Sequence, residues 1–235
     1  MRAVARTEVG LVRKSNEDSF LCDEKRGLFI VADGMGGHLA GEVASQMAIE
    51  VIISYLKEDN SDPLLKLKEA VAYANQVVYT NSQENHTHKG MGTTVTLAYI
   101  VDDKANIAHV GDSRAYIIRN KAITLLTCDH SYVGELVRSG EITQEQAMAH
   151  PKRNMLMRAI GTSPEIDIDL LEINLKKNDI LLLCTDGLSN HLRDEEMLQS
   201  VLKGENLQEA TDNMMEIAYK KGANDNITVL LTQYR

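Results

Sequence analysis

The sequence predicts an α+β fold in which two antiparallel sheets stack face to face and helices cover their outer faces. Three observations carry this expectation. Short apolar runs rich in β-branched residues recur along the chain, for example at 28–32, 93–101, 105–110, 113–119 and 227–231, and they are too uniformly apolar for a sheet with one wet face. Stretches with apolar residues at helical spacing stand between groups of these runs. Finally, no Pro/Gly/Ser-rich linker or shift in composition divides the 235 residues, 43% of them hydrophobic, so one well-buried core and a single domain are expected.

In chain order, 2–10 reads as a first strand, and the polar cluster RKSNED (13–18) connects it to a strand at 19–22. That cluster suits a solvated turn. A second reading has Glu17 or Asp18 facing a cation while Arg13 offers its fork of donors to a phosphate. The run 28–32 follows and ends on Asp33 and a flexible Gly34-Met35-Gly36-Gly37 turn. Ala44, Met47, Ala48, Val51, Ile52 and Tyr55 then mark an amphipathic helix over 41–56. A second helix starts at Asp62 or Pro63, with Asp as cap and Pro in the first turn, and buries Leu64, Leu67, Val71, Ala74 and Val78. Residues 81–90 read as a polar loop, and His86 and His88 within it lack acid or Cys partners at metal-binding spacing.

The four runs from 93 to 126 predict a meander of antiparallel strands separated by turn residues. From 129 to 160 the character changes to short helices and irregular chain: 131–139 is helical and stops at Gly140, and Thr143 with Gln146 forms a capping box for another short helix. This insertion between strands is a candidate for a mobile flap that selects substrates, or for a loop without such a role. Strands at 166–173 and 180–184, helices at 194–202 and 206–221, and a closing strand at 227–231 complete the chain.

Composition narrows the function. The net charge of −9 argues against nucleic acid or an anionic membrane as a partner. Cys22, Cys128 and Cys184 are odd in number and without a CxxC, so neither a disulfide framework nor a zinc knuckle is indicated, and reduced cytoplasm is the expected compartment. The first residues lack an apolar h-region, and no apolar run approaches a membrane span.

The informative pattern is the recurrence of acids at strand ends. Asp33 closes 28–32, Asp112 follows 107–111, Asp186 follows 180–185, and Asp225 stands just before 227–231. In an antiparallel sheet these positions can fall at one edge. Carboxylates meeting there repel unless cations neutralise them, and oxygen-only ligands favour Mg²⁺ or Mn²⁺ over zinc.

Taken together, RKSNED, VADGMGG, MGTT, HVGDSR, CTDGL and NDNITV, in this order and spread end to end, resemble bacterial metal-dependent protein Ser/Thr phosphatases of type 2C, the PPM family. The resemblance implies a four-layer α-β-β-α sandwich, two central antiparallel sheets flanked by helix pairs, over 1–235 with 129–160 as its flap. It further implies a two-metal cluster of Mn²⁺ or Mg²⁺: Asp33 bridges the ions, Glu17 and the Gly34 carbonyl complete one site, and Asp186 and Asp225 complete the other. Asp112 with Asp186 matches a third, weaker site. Arg13 matches the phosphate-binding arginine, and His38 matches the general acid of bacterial members. A cation-held water would then attack phosphorus directly, without a covalent nucleophile. The expected partners are phosphoproteins, among them a Ser/Thr protein kinase whose phosphorylation the enzyme reverses, and a monomer is expected.

Rival functions fit less well. Leu39 stands where a dinucleotide fingerprint needs a small residue, and no GKS or GKT follows for a P-loop. A two-metal nuclease would need a basic stripe. An inactive phosphoprotein-binding module of the same fold would be expected to have lost a ligand carboxylate, whereas Glu17, Asp33, Asp112, Asp186 and Asp225 are all present.

Overall fold

Alternation along the central strands decides the architecture. In β3 (Leu28–Met35), Leu28, Ile30 and Ala32 point one way, into a cluster with α1 (Ala40–Tyr55) and α2 (Pro63–Glu84). Phe29 and Val31 point the other way, into the core between the sheets. In β10 (Ile180–Cys184), Leu181 and Leu183 enter that same central core, whereas Leu182 and Cys184 face a third cluster with α6 (Asp194–Lys203) and α7 (Leu207–Lys220). Strands apolar on both faces therefore build three stacked cores and four layers, α-β-β-α. Each fully buried Leu, Ile or Phe contributes about 1.5–3 kcal/mol of transfer free energy.

The computed structural model describes residues 1–36, 40–56 and 62–235. One sheet runs β1 (Arg2–Glu8), β11 (Ile227–Gln233), β10, β7 (Arg114–Arg119), β8 (Ala122–Leu125). The other runs β2 (Asp18–Asp23), β3, β5 (Val95–Val101), β6 (Lys104–Val110), β9 (Asp169–Asn174), and β4 (Gly92–Thr93) pairs with the end of β3. The pairings are antiparallel throughout. Between β8 and β9 lie α3 (Tyr132–Arg138), capped by Ser131, and α4 (Gln144–Met148), opened by the Thr143–Gln146 capping box.

Several expectations need correction. The strands from 93 to 126 do not form one meander: β5 pairs β6 and β7 pairs β8, but β6 and β7 belong to different sheets. The chain crosses over at Gly111–Ser113, where Gly111 has φ +114. Strand β3 does not stop at Asp33; Gly34 and Met35 continue it by pairing with Thr93 and Gly92. Helix α2 extends to Glu84, and a 3-10 turn, His86–His88, follows it, so 81–90 is less irregular than its polarity suggests. Strand β9 begins only at Asp169. The sequence reading also passed over a short helix, α5 (Asp186–Ser189), where Asp186 opens a turn instead of ending a strand.

Candidate active site

Antiparallel pairing brings the predicted acids to one end of the sandwich. In one sheet Asp18, at the start of β2, is the cross-strand partner of Asp33 near the end of β3. In the other, β10 runs toward Asp186 while β11 leaves from Asp225, and their register makes Cys184 and Val229 neighbours. Two threonines join the sheets there: Thr185 Oγ1 donates to Asp18 Oδ2 at 2.8 Å, and Thr228 Oγ1 donates to the same oxygen at 2.6 Å.

The backbone around Asp33 is held closely. Its N–H donates to Thr94 Oγ1 (2.9 Å), and its carbonyl accepts from Thr93 Oγ1 and the Thr94 N–H, both at 2.9 Å. Gly34 donates to the Glu17 carbonyl at 3.1 Å. Any side chain at Gly34 would place its Cβ 2.1 Å from the Gly41 carbonyl oxygen, and one at Gly41 would stand 2.1 Å from Glu17 Oε2, so these glycines permit a close approach of β3, α1 and the Glu17 segment. That segment is fixed from the far end of the chain. Asn226 Oδ1 accepts the Glu17 N–H at 2.8 Å, while Asn226 Nδ2 donates to the carbonyls of Val9 (3.0 Å) and Ser15 (2.9 Å).

Electrostatically the cluster is strained. Burial, with Asp18, Asp186, Asp112 and Asp225 nearby, holds the Asp33 carboxyl well above the usual range. Burial and then Asp186 and Asp129 raise Asp112, and burial and then Asp225 raise Asp186. Burial also raises Glu17, against the pull of Arg13, and raises Asp18 to about 7 despite the two threonine hydroxyls. Asp18 Oδ1 and Asp186 Oδ1 are buried without a hydrogen-bond partner among the described residues. Buried, unpartnered carboxylate oxygens at one point are costly unless positive charge faces them. Two arginines do part of this. Arg13 Nη2 donates to Asp225 Oδ2 at 2.8 Å while half exposed, and Arg114 makes a two-pronged contact with Asp129 (2.9 and 2.6 Å) behind Asp112. The donor set, all oxygen and over-charged, fits hard divalent cations. Among the described residues, however, the acids do not stand gathered as a ready group of three able to hold an ion, and Asp225 is turned to Arg13.

Of the predicted site residues, Glu17, Asp33, Gly34, Asp112, Asp186, Asp225 and Arg13 are thus brought to one region by contact, pairing or mutual electrostatics. His38 lies outside the described residues. The sequence reading left Asp18 level with Glu17 and did not single out Asn226, Thr185 or Thr228. Their signal is faint: Thr185 and Asn226 each adjoin an acid and Thr228 stands three residues after one, with nothing local to say that any of them turns inward.

A cavity of about 590 Å³ opens beside Asp112 and Asp186, between the α3–α4 insertion and the segment leading into α6. Leu125, Val133, Val137 and Leu192 supply apolar wall, and Arg138 and Arg193 contribute charge.

Comparison with known proteins agrees with this architecture. The chain is 38% identical over 241 residues to the serine/threonine phosphatase stp of Listeria innocua serovar 6a, covering 99% of this chain and 96% of that one. It superposes on the crystal structure of the Mycobacterium tuberculosis serine/threonine phosphatase PstP/Ppp with a TM-score of 0.91 at 38% identity, covering 98% and 97% of the two chains. A crystal structure of the PstP catalytic domain in complex with two manganese ions matches with a TM-score of 0.89 at 36% identity, covering 98% and 96%. A family profile described as protein phosphatase 2C spans residues 12–232. With sequence and fold agreeing over nearly its whole length, the chain belongs to the protein phosphatase 2C family.

Proposed function

We propose that this protein hydrolyses phosphoserine and phosphothreonine in other proteins, with one phosphatase domain spanning 1–235. The observation that carries the reading is that burial and one another's charge raise the carboxyls of Asp33, Asp112 and Asp186, while Asp18 and Asp186 each keep an oxygen unpartnered among the described residues. Such an arrangement gains little for stability and is suited to holding cations. When bound, a pair of Mn²⁺ or Mg²⁺ ions supplies Lewis acidity and an activated water for attack on phosphorus.

Asp33 would hold both ions, with Glu17 and the Gly34 carbonyl on one and Asp186 and Asp225 on the other; Asp112 with Asp186 would serve a weaker third. Arg13, half exposed at the rim and carried on the segment that Asn226 braces, would leave Asp225 for the substrate phosphate and neutralise its oxygens. His38 would donate the proton to the departing serine or threonine oxygen. Asp18, paired across the strands with Asp33, would stay behind it, its Oδ2 spent on Thr185 and Thr228. The insertion at 129–160 would select substrates through the cavity beside Asp112, where residues flanking the phosphorylated one can lie. A Ser/Thr kinase among the substrates, a monomeric state and a cytoplasmic setting belong to the same proposal; no described helix is long and apolar enough to cross a membrane.

The test is phosphate release from phosphothreonine and phosphotyrosine peptides with Mn²⁺, with Mg²⁺ and with EDTA. Turnover of phosphothreonine that requires either cation supports the reading. Full turnover in EDTA overturns it, and tight peptide binding without turnover in either cation would mark a binding module instead.

A further inference from the structure

The buried imidazole of His130, 2% exposed, plays no part in the site described so far. Between its ring and its backbone, His130 takes both backbone polar groups of the residue immediately before Asp112. The Gly111 N–H donates to His130 Nδ1 at 3.1 Å, and the His130 N–H donates to the Gly111 carbonyl at 2.7 Å. A side chain at Gly111 would place its Cβ 2.5 Å from Thr94 Cγ2, so the turn is pressed against Thr94 on one side and held by His130 on the other.

The far edge of the ring faces a carboxylate: Nε2 lies 3.1 Å from Asp169 Oδ2 on β9. A backbone N–H can only donate, so Nδ1 is the acceptor, and the neutral ring carries its proton on Nε2, the edge that meets Asp169 and Arg158. Arg158 Nη1 donates to Asp169 Oδ1 at 2.9 Å and lies 3.1 Å from Nε2, so the guanidinium, the carboxylate and this edge of the ring form one contact. His109 packs tilted against the ring, 4.7 Å between centroids, and is itself held by Thr96 (2.8 Å) and the Cys128 carbonyl (3.0 Å). Finally, the His130 carbonyl accepts from the Met157 N–H at 2.8 Å, so both stems of the 129–160 insertion meet at this residue.

We propose that His130 is a positioning residue: its Nδ1 and backbone N–H fix the Gly111–Asp112 turn so that Asp112 faces the cluster, and its Nε2 edge seats that turn against Asp169 and Arg158. The inference rests on the reading of Asp112 as an acid used in the reaction.

The two edges of the ring can be separated by substitution. In His130→Asn the Oδ1 can still accept the Gly111 N–H but cannot reach Asp169. In His130→Gln the side chain can reach toward Asp169 but leaves the Gly111 N–H bare. The experiment measures kcat and KM of the full chain with Mn²⁺ on a phosphothreonine peptide and on a small aryl phosphate. It covers these variants, His130→Ala, Asp112→Ala and the Ala double, beside urea midpoints and the ring tautomer of wild type by ¹⁵N NMR. Expected are losses in kcat on the order of 10- to 100-fold for Gln and Ala on both substrates, the scale of a small misplacement, with KM little moved. His130→Asn should keep most of kcat, and the double variant should be no worse than Asp112→Ala, because the two act as one unit. Equal losses in Asn and Gln that track their urea midpoints would make His130 merely structural, and a proton on Nδ1, or losses that multiply in the double variant, would equally overturn the inference. A reduced Asp112→Ala beside an unaffected His130→Gln overturns it alone, whereas wild-type kcat in Asp112→Ala overturns the assignment of Asp112 itself.

Discussion

Replacing Asp18 by Asn should stabilise the cation-free protein at alkaline pH and lose that advantage in acid. The Asp18 carboxyl is fully buried between the sheets, and burial raises it from the ordinary 3.8 to about 7. A carboxyl whose folded value is raised binds more protons folded than unfolded, so its ionisation lowers stability as pH climbs from about 4 to about 7, and the penalty levels off above. At 1.36 kcal/mol per pH unit the full penalty is about 4 kcal/mol, an upper figure because the neighbouring acids titrate with it. Asn keeps the oxygen that accepts from Thr185 and Thr228, but it puts an amide NH₂ where Oδ1 has no partner, at a cost of about 1–3 kcal/mol. The net expectation in EDTA is therefore about 1–3 kcal/mol of added stability at pH 8, or roughly 2–10 °C in Tm for a domain of this size, and none or a small loss at pH 5. Saturating Mn²⁺ should erase the difference or reverse it, since the cations then use the charge that Asn lacks. Thermal and urea denaturation at the two pH values, with EDTA and with Mn²⁺, reads all four conditions. Wild type gaining stability between pH 5 and 8 in EDTA at this site, or an Asn variant less stable than wild type at pH 8, would refute the electrostatic account of the cluster.

Asp33→Asn should abolish turnover while leaving the fold intact by circular dichroism, because it removes the carboxylate assigned to both cations; appreciable activity in saturating Mn²⁺ would show that the cluster is organised otherwise. Arg13→Ala should mainly raise KM for phosphopeptides, by about 1.5–3 kcal/mol or some 10- to 150-fold, as expected for a lost charge-assisted contact. Because Arg13 also pairs with Asp225, the same variant should bind Mn²⁺ by calorimetry no more weakly than wild type. An unchanged KM would return Arg13 to a solvated ion pair at the rim. Exchanging the insertion around 138–145 should reorder preferences among phosphopeptides while a small aryl phosphate, which makes few remote contacts, is hydrolysed nearly as before. Equal losses on both would mean that α3 and α4 support the site and do not select its substrates.

Features whose cause is local are legible in the residues alone. Uniformly apolar runs required strands covered on both faces, and the alternation in 28–32 matches its split between two cores, Leu28 and Ile30 to the helices, Phe29 and Val31 to the facing sheet. Caps at Asp62, Ser131 and Thr143 act within one turn, so those helices began where expected. Acids at strand ends could be read as one site because antiparallel pairing leaves few places for them to go. Tertiary structure decided whatever depends on a partner far along the chain. Whether β6 and β7 share a sheet is settled by packing across Gly111–Ser113, not by either strand's own residues. Asp18 and Glu17 are equally acidic neighbours, yet Asp18 is drawn inward by hydroxyls 167 and 210 positions away, while Glu17 is set by Asn226, 209 positions away. His130 shows the same limit. Its ring has meaning only because folding brings Gly111 to one edge and Asp169 to the other, and loop closure over such separations leaves no periodicity for a sequence to display.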